Sequence, residues 1–92
     1  MVQTKKHIDL LHKVTASNVS YFRRAKELTR GDLAVRAGVS EMSLCRWERG
    51  SHLPSLANLV RLAVACGVPL PWYLMTRGQR KAIIATTTKD IG

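Results

Sequence analysis

Apolar residues along this chain recur at spacings of three and four, the pattern of helices that each bury one face. In the first fourteen residues Ile8, Leu11 and Val14 stand three apart with charges between them, a weak helical period. Thr15, Ala16, Ser17 and Asn18 read as a break or a cap. Val19, Phe22 and Ala25 then repeat at three, and Leu28 completes that face. Thr29 followed by Asp32 is close to a capping box, Asp being a shorter arm than the usual Glu. It predicts a helix over 30–37 that buries Leu33, Ala34 and Ala37. Gly38 suits its end, because only glycine takes a positive φ without a Cβ penalty. Ser40 caps a helix over 41–49 whose inward residues are Leu44 and Trp47, and Gly50 closes it. Residues 51–54 form a connection. Ser55 caps a further helix carrying Leu56, Leu59, Val60, Leu62, Ala63 and Cys66, stopped by Gly67. Pro71 suits the first turn of a last short helix, with Gly78 as its terminator. The tail continues Ala-Ile-Ile-Ala-Thr-Thr-Thr, a β-prone run with no obvious place in a helical core. No stretch alternates as a strand before residue 82, so the core is expected to be all-α.

Ninety-two residues, 46% of them apolar, suit one compact domain. Residues 1–14 read as an N-terminal extension, 15–77 as the domain and 78–92 as a C-terminal tail. The formal charge is +9, from fifteen Lys and Arg against six Asp and Glu. Such an excess speaks to partners, with phosphate polymers and anionic membranes first. No apolar run approaches the roughly 20 residues of a membrane span. The charges among residues 1–14 make a poor secretory signal. Cys45 and Cys66 lack metal-ligand spacing and are too few for a disulfide framework, which points to reduced thiols inside a cell. His7 and His12 lie five apart without companion ligands. No catalytic triad, carboxylate pair or metal cluster is legible. The reading is therefore not an enzyme, with no metal and no cofactor.

The turn Gly38-Val39-Ser40 joins two short helices, a helix-turn-helix connection. The stretch "LTRGDLAVRAGVSEMSLCRWERGSHLPSLANLVRLAVACGVPLPWYL", residues 28–74, resembles the Cro-like, lambda-repressor-like (XRE) helix-turn-helix family. The resemblance rests on Leu28, Thr29, Leu33-Ala34, Gly38-Val39-Ser40, Leu44, Trp47-Glu48-Arg49-Gly50, Pro54-Ser55, Leu59, Leu62-Ala63, Gly67-Val68 and Trp72-Tyr73-Leu74. Arg23, five residues before Leu28, also matches. The resemblance implies a compact five-helix domain that binds double-stranded DNA in the cytoplasm.

A helix of this length fits the major groove, and its first turn meets the base edges. By the resemblance, the base-reading positions are Ser40, Glu41, Met42, Ser43 and Arg46. Arg46 can grip guanine O6 and N7, Glu41 can accept from cytosine N4, Met42 can pack on a thymine methyl, and Ser43 can serve a base or a phosphate. Glu41 has a second reading: a negative charge is stabilised at a helix N-terminus whatever it contacts. Phosphate contacts are expected from Thr29 and Arg30, where free backbone N–H groups favour anions, and from Arg49, Ser51, His52 and Asn58. The resemblance makes Arg23 and Glu48 a buried structural pair. A glutamate facing DNA would repel phosphate, which is a physical reason to turn it inward.

The resulting expectation is a transcriptional regulator, most simply a repressor, with an antitoxin-type module as the competing reading. One such motif reads only a few base pairs, so a homodimer on paired half-sites is expected. Trp72, Tyr73, Leu74, Met75, Ile83 and Ile84 are the candidate dimer residues, the tail pairing as a short strand. Control by the protein's own concentration or by a protein partner, a toxin or an antirepressor, is favoured over a small ligand, since no ligand pocket is legible.

Overall fold

The computed structural model describes the backbone of residues 4–91 and the side chains of residues 4–86. Residues 1–3 of the expected extension and residue 92 of the expected tail lie outside the described residues. Five α-helices follow one another: α1 (Thr4–Ala25), α2 (Arg30–Ala37), α3 (Glu41–Arg49), α4 (Leu56–Cys66) and α5 (Arg77–Ile91), with a 3-10 turn over Leu70–Leu74 before α5. The described residues contain no strand. None of their helices is long and apolar enough to cross a membrane.

Local chemistry sets most of these boundaries. The Thr29 hydroxyl accepts from the Asp32 N–H at 3.0 Å, and the Thr29 N–H donates to the Asp32 carboxylate at 3.3 Å. The shorter Asp arm therefore does complete a capping box. Ser40 and Ser55 cap α3 and α4 in the same way, through the N–H groups of Ser43 and Asn58. Gly38 ends α2 with φ 70. Open space surrounds the place its Cβ would occupy, so its requirement is conformational alone.

The inward faces meet in one core. Val19 and Phe22 of α1 join Leu33, Ala34 and Ala37 of α2, Leu44 and Trp47 of α3, and Leu59, Leu62, Ala63 and Cys66 of α4. Tyr73 from the 3-10 turn closes it, its ring 5.3 Å from that of Phe22 in an edge-to-face arrangement.

Four expectations need correction. The break expected at residues 15–18 does not occur, and α1 runs straight through it. Thr15 and Asn18 are buried there. The Asn18 side-chain amide donates to the carbonyls of Tyr73 and Met75, each at 2.7 Å, and its oxygen accepts from Arg80 Nη1 at 2.6 Å. A cap-like residue has thus become a tertiary joint. The tail is a helix, not a strand. Thr76 and Gln79 bond reciprocally, backbone N–H to side-chain oxygen, at 2.9 and 3.2 Å, and this cap outweighs the β propensity of the residues behind it. Gly78 lies inside the first turn of α5 and does not terminate the preceding turn. Tyr73, expected on a dimer surface, is 1% exposed and belongs to the core of the single chain.

Asn18 generates a sharp test. Asn18→Leu keeps the branching and heavy-atom count of the side chain and leaves two carbonyls and a guanidinium short of a partner. Each unsatisfied buried group costs about 1–3 kcal/mol, so the urea-derived stability should fall by about 3 kcal/mol or more. A loss well under about 1 kcal/mol would show that these groups bond elsewhere.

Candidate nucleic-acid interface

α3 is amphipathic along its whole length. Leu44 and Trp47 face the core, while Glu41, Met42 and Arg46 are exposed and Ser43 and Cys45 are half-buried. Nine residues make a rod of about 13 Å. Met42 is 64% exposed, which removes it from any core role. Glu41, Met42, Cys45, Arg46 and Arg49 line one shallow depression on this outer face.

The five residues expected to read bases differ in how free they are. The Ser40 hydroxyl accepts from the Ser43 N–H at 3.0 Å and donates to the Ser43 hydroxyl oxygen at 2.8 Å. Ser40 is thus spent on the cap, and Ser43 keeps its own hydroxyl hydrogen for donation. A Cβ at Gly31 would stand 3.6 Å from Glu41 Oε2, so the Glu41 carboxylate leans over the first turn of α2. There it faces the positive end of a helix. The Arg46 side chain makes no hydrogen bond or ion pair with any described residue. Its whole fork of donors is available.

The expected phosphate-facing groups fall around α3 in three places. At the start of α2, the Thr29 oxygen accepts within the capping box while its O–H can still donate, and Arg30 has a half-exposed side chain bonded through Nε to Glu48 Oε1 at 3.2 Å. Beyond α3, the Ser51 hydroxyl donates to the Arg46 carbonyl at 3.2 Å, and His52 Nδ1 lies 3.2 Å from that hydroxyl. This holds the imidazole on the loop with its Nε2 directed elsewhere. In the first turn of α4, the Asn58 side-chain oxygen accepts from Arg61 at 2.7 Å, leaving its NH2 to donate. The sequence reading missed one contribution. A cleft between α1 and the end of α3 is lined by Asp9, His12, Lys13, Arg49 and Ser51, so the first half of α1 places Lys13 and His12, with Asp9 beside them, next to Arg49. Lys13 and His12 carry no motif of their own. Only the unbroken course of α1 brings them there.

Among the remaining dimer candidates, Leu74 is half exposed, Trp72 packs partly against Phe22, and Met75, Ile83 and Ile84 are half-buried. The described residues hold no cluster of His, Cys, Asp or Glu able to bind a metal ion.

Beneath the outer face, Arg23 and Glu48 form the expected pair. Arg23 Nε donates to Oε2 at 2.7 Å and Nη2 to Oε1 at 3.0 Å, while Nη1 donates to the Leu28 carbonyl at 2.9 Å. The hydrogen bond to Glu48 raises the Arg23 pKa above its ordinary value, against the opposing effect of burial. The Glu48 side chain is only 3% exposed. Removing one partner of a buried pair costs about 3–5 kcal/mol. Glu48→Ala should therefore lower the melting temperature strongly, whereas Glu41→Ala, on the exposed face, should change it little. Equal melting temperatures for the two variants would contradict the assigned role of Glu48.

Comparison with known proteins agrees with this geometry. A helix-turn-helix family model (HTH_3) matches residues 19–73. An uncharacterized HTH-type transcriptional regulator of Sinorhizobium fredii, y4dJ, is 38% identical over 58 residues, covering 63% of this chain and 75% of its own length. The crystal structure of a hypothetical transcription factor of Neisseria, NHTF, superimposes with a TM-score of 0.74 at 27% identity, over 79% of this chain and 84% of that one. An HTH_3 family transcriptional regulator of Vibrio cholerae shares the fold, with a TM-score of 0.69 at 23% identity, over 72% of this chain and 37% of the longer one. The match spans α2, the Gly38 turn, α3 and α4 together with the Arg23–Glu48 pair, and by it this chain belongs to the HTH_3 helix-turn-helix family.

Proposed function

We propose that this protein is a sequence-specific DNA-binding transcriptional regulator that represses by occupying paired operator half-sites as a homodimer in the cytoplasm. The observation that carries this reading is the outer face of α3. It presents exposed Met42 and Arg46, the arginine unpaired among the described residues, on a helix whose opposite face is locked into the core. The family match and the regulator names of the relatives support it. In this reading Arg46 grips a guanine, Met42 packs on a thymine methyl and Ser43 donates to a base edge. Ser40 and Glu41 stand at the helix entry, where their cap and carboxylate set its approach. Thr29, Arg30, Arg49, Ser51, His52 and Asn58 take phosphates and fix the register.

Dimerisation supplies the second half-site, because one recognition helix reads only a few base pairs and symmetric operators mirror symmetric proteins. Leu74, Met75, Trp72, Ile83 and Ile84 are the proposed contact residues. With α5 a helix, they would meet their symmetry mates by side-chain packing rather than by strand pairing. Sedimentation equilibrium on operator DNA should give two chains per duplex site. One chain per site would remove the dimer.

Specificity and affinity should separate cleanly. Losing a bidentate base contact costs about 1–3 kcal/mol and relaxes preference at one position. Losing a phosphate contact weakens every sequence alike and lowers the log–log salt slope by about 1. Arg46→Ala should thus narrow the gap between operator and scrambled duplexes. Arg30→Ala should leave that ratio nearly unchanged while reducing the salt dependence. The measurement is titration of both variants against both duplexes at several salt concentrations. If Arg46→Ala weakens both duplexes equally, α3 is not read through Arg46.

A further inference from the structure

The joint between α1 and α5 contains a charged group with no counter-charge among the described residues. Arg80 is 7% exposed, and its Nη1 donates to Asn18 at 2.6 Å and to the Ser17 hydroxyl at 3.4 Å. Its guanidinium carbon lies 4.0 Å from the centroid of the Tyr21 ring. Of the five N–H donors of an arginine, those on Nε and Nη2 find no partner among the described residues, and neither atom is sealed from solvent. No carboxylate is paired with Arg80 among the described residues. Burial lowers its pKa from the ordinary value, and neighbouring Arg77 lowers it further against the pull of Tyr21. A buried charge is ordinarily paired.

What lies beside it is a cavity of about 380 Å³ lined by Ser17, Tyr21, Arg77, Arg80, Lys81 and Ile84. Three of these six residues are cationic and none is acidic. Its volume falls within the range of small-molecule sites, roughly 300–1,000 Å³. Arg80 also borders a broader cleft toward Arg24 and Glu48. That cleft carries a carboxylate and suits an anion less well.

We propose that the cavity between α1 and α5 binds a small organic anion, a carboxylate or phosphate carried on an apolar body. The unused donors of Arg80, with Arg77 and Lys81, hold the anionic group, and the Ser17 hydroxyl lies within the same wall. Tyr21 and Ile84 supply the apolar side. The occupant would complete the pairing that Arg80 lacks and strengthen the hold of α5 on α1. The site is built from α1 and α5 alone and does not depend on how α3 meets DNA.

The test is a two-dimensional ¹H–¹⁵N NMR titration of the full chain with inorganic phosphate and, separately, with benzoate, at constant ionic strength set by sodium chloride. Both probes should give saturable shifts at the amides of Ser17, Tyr21, Arg80 and Lys81. Arg80 variants can fail to fold, so the competing variant is Arg77→Gln with Lys81→Gln, two exposed positions. It should keep the unliganded melting temperature and weaken the apparent affinity about tenfold or more, as expected for loss of charged hydrogen-bond partners. Benzoate should also raise the melting temperature of the unaltered protein, because it binds the folded chain. Shifts confined to α2 and α3, or equal affinity in the double variant, would overturn the site. Saturable phosphate binding without benzoate binding would overturn the organic ligand.

Discussion

Glu48 is the residue through which three helices are held at fixed angles. It sits on α3, beneath the outer face, and its carboxylate accepts from Arg23 of α1 and from Arg30 at the start of α2. A single carboxylate facing two guanidinium groups leaves a net positive charge in the triad. The excess falls on Arg30, the more exposed of the two arginines. The positive end of α2 lies there too, where Arg30 and the helix dipole stand against the Glu41 carboxylate that leans over the same turn. The pair thus does two things with one geometry. It withdraws a negative charge from the surface that must approach DNA, and it aims a positive one. A buried ion pair is weak grounds for stability by itself. Its value here is orientation, since Arg23 also ties the Leu28 carbonyl just past the end of α1.

A second polar joint, around Asn18, has a different character. Asn18 uses both amide hydrogens and its oxygen, and is fully buried. It anchors the carbonyls of Tyr73 and Met75 and so fixes where the chain leaves the core toward α5. Arg80 then docks on the same side chain. Tyr73, whose hydroxyl is buried and beside Cys66, has its pKa pushed far above the ordinary value by that burial. The ring stays neutral and serves packing. The core of this small domain is therefore closed at its C-terminal side by an amide and a guanidinium over an aromatic, where a larger protein could use more apolar volume.

Legibility in the sequence followed the range of the interactions. Thr29, Ser40 and Ser55 cap through N–H groups three residues away, and Gly38, Gly50 and Gly67 end helices through their own φ. Such information is local, so the span from α2 to α4 and the inward residues Leu44 and Trp47 could be read directly. Arg23 and Glu48 are twenty-five residues apart, and only the family resemblance joined them. Thr15 to Asn18 misled because short polar residues favour caps when nothing else claims their side chains. Here Asn18 bonds to residues more than fifty positions away, which no window of sequence reveals. The tail misled for a related reason. Isoleucine and threonine lean toward strands, but the Thr76–Gln79 cap and the docking of Arg80 commit the chain to a helix. The cap was there to be read. The partner of Arg80 was not.

The interface itself divides its polar groups by how much freedom the fold leaves them. Ser40 is consumed by its cap, Arg30 is steered by Glu48, Ser51 is bonded to the Arg46 carbonyl, and Asn58 is braced by Arg61. Arg30 and Asn58 retain donors to offer a phosphate, but from positions the protein has already set, which lowers the ordering cost on binding. Phosphates recur identically along DNA, so fixed donors suit them. Base edges vary, and a reader must meet one pattern and fail on the others. Among the described residues, Arg46 and Arg49 are the cationic side chains of the outer face left without an internal partner, and Arg46 has Met42 four residues before it on the same side of the helix. In the proposed reading, braced donors such as those of Arg30 and Asn58 set the register, and the choice of sequence falls to Arg46, an unbraced arginine on the face it shares with Met42.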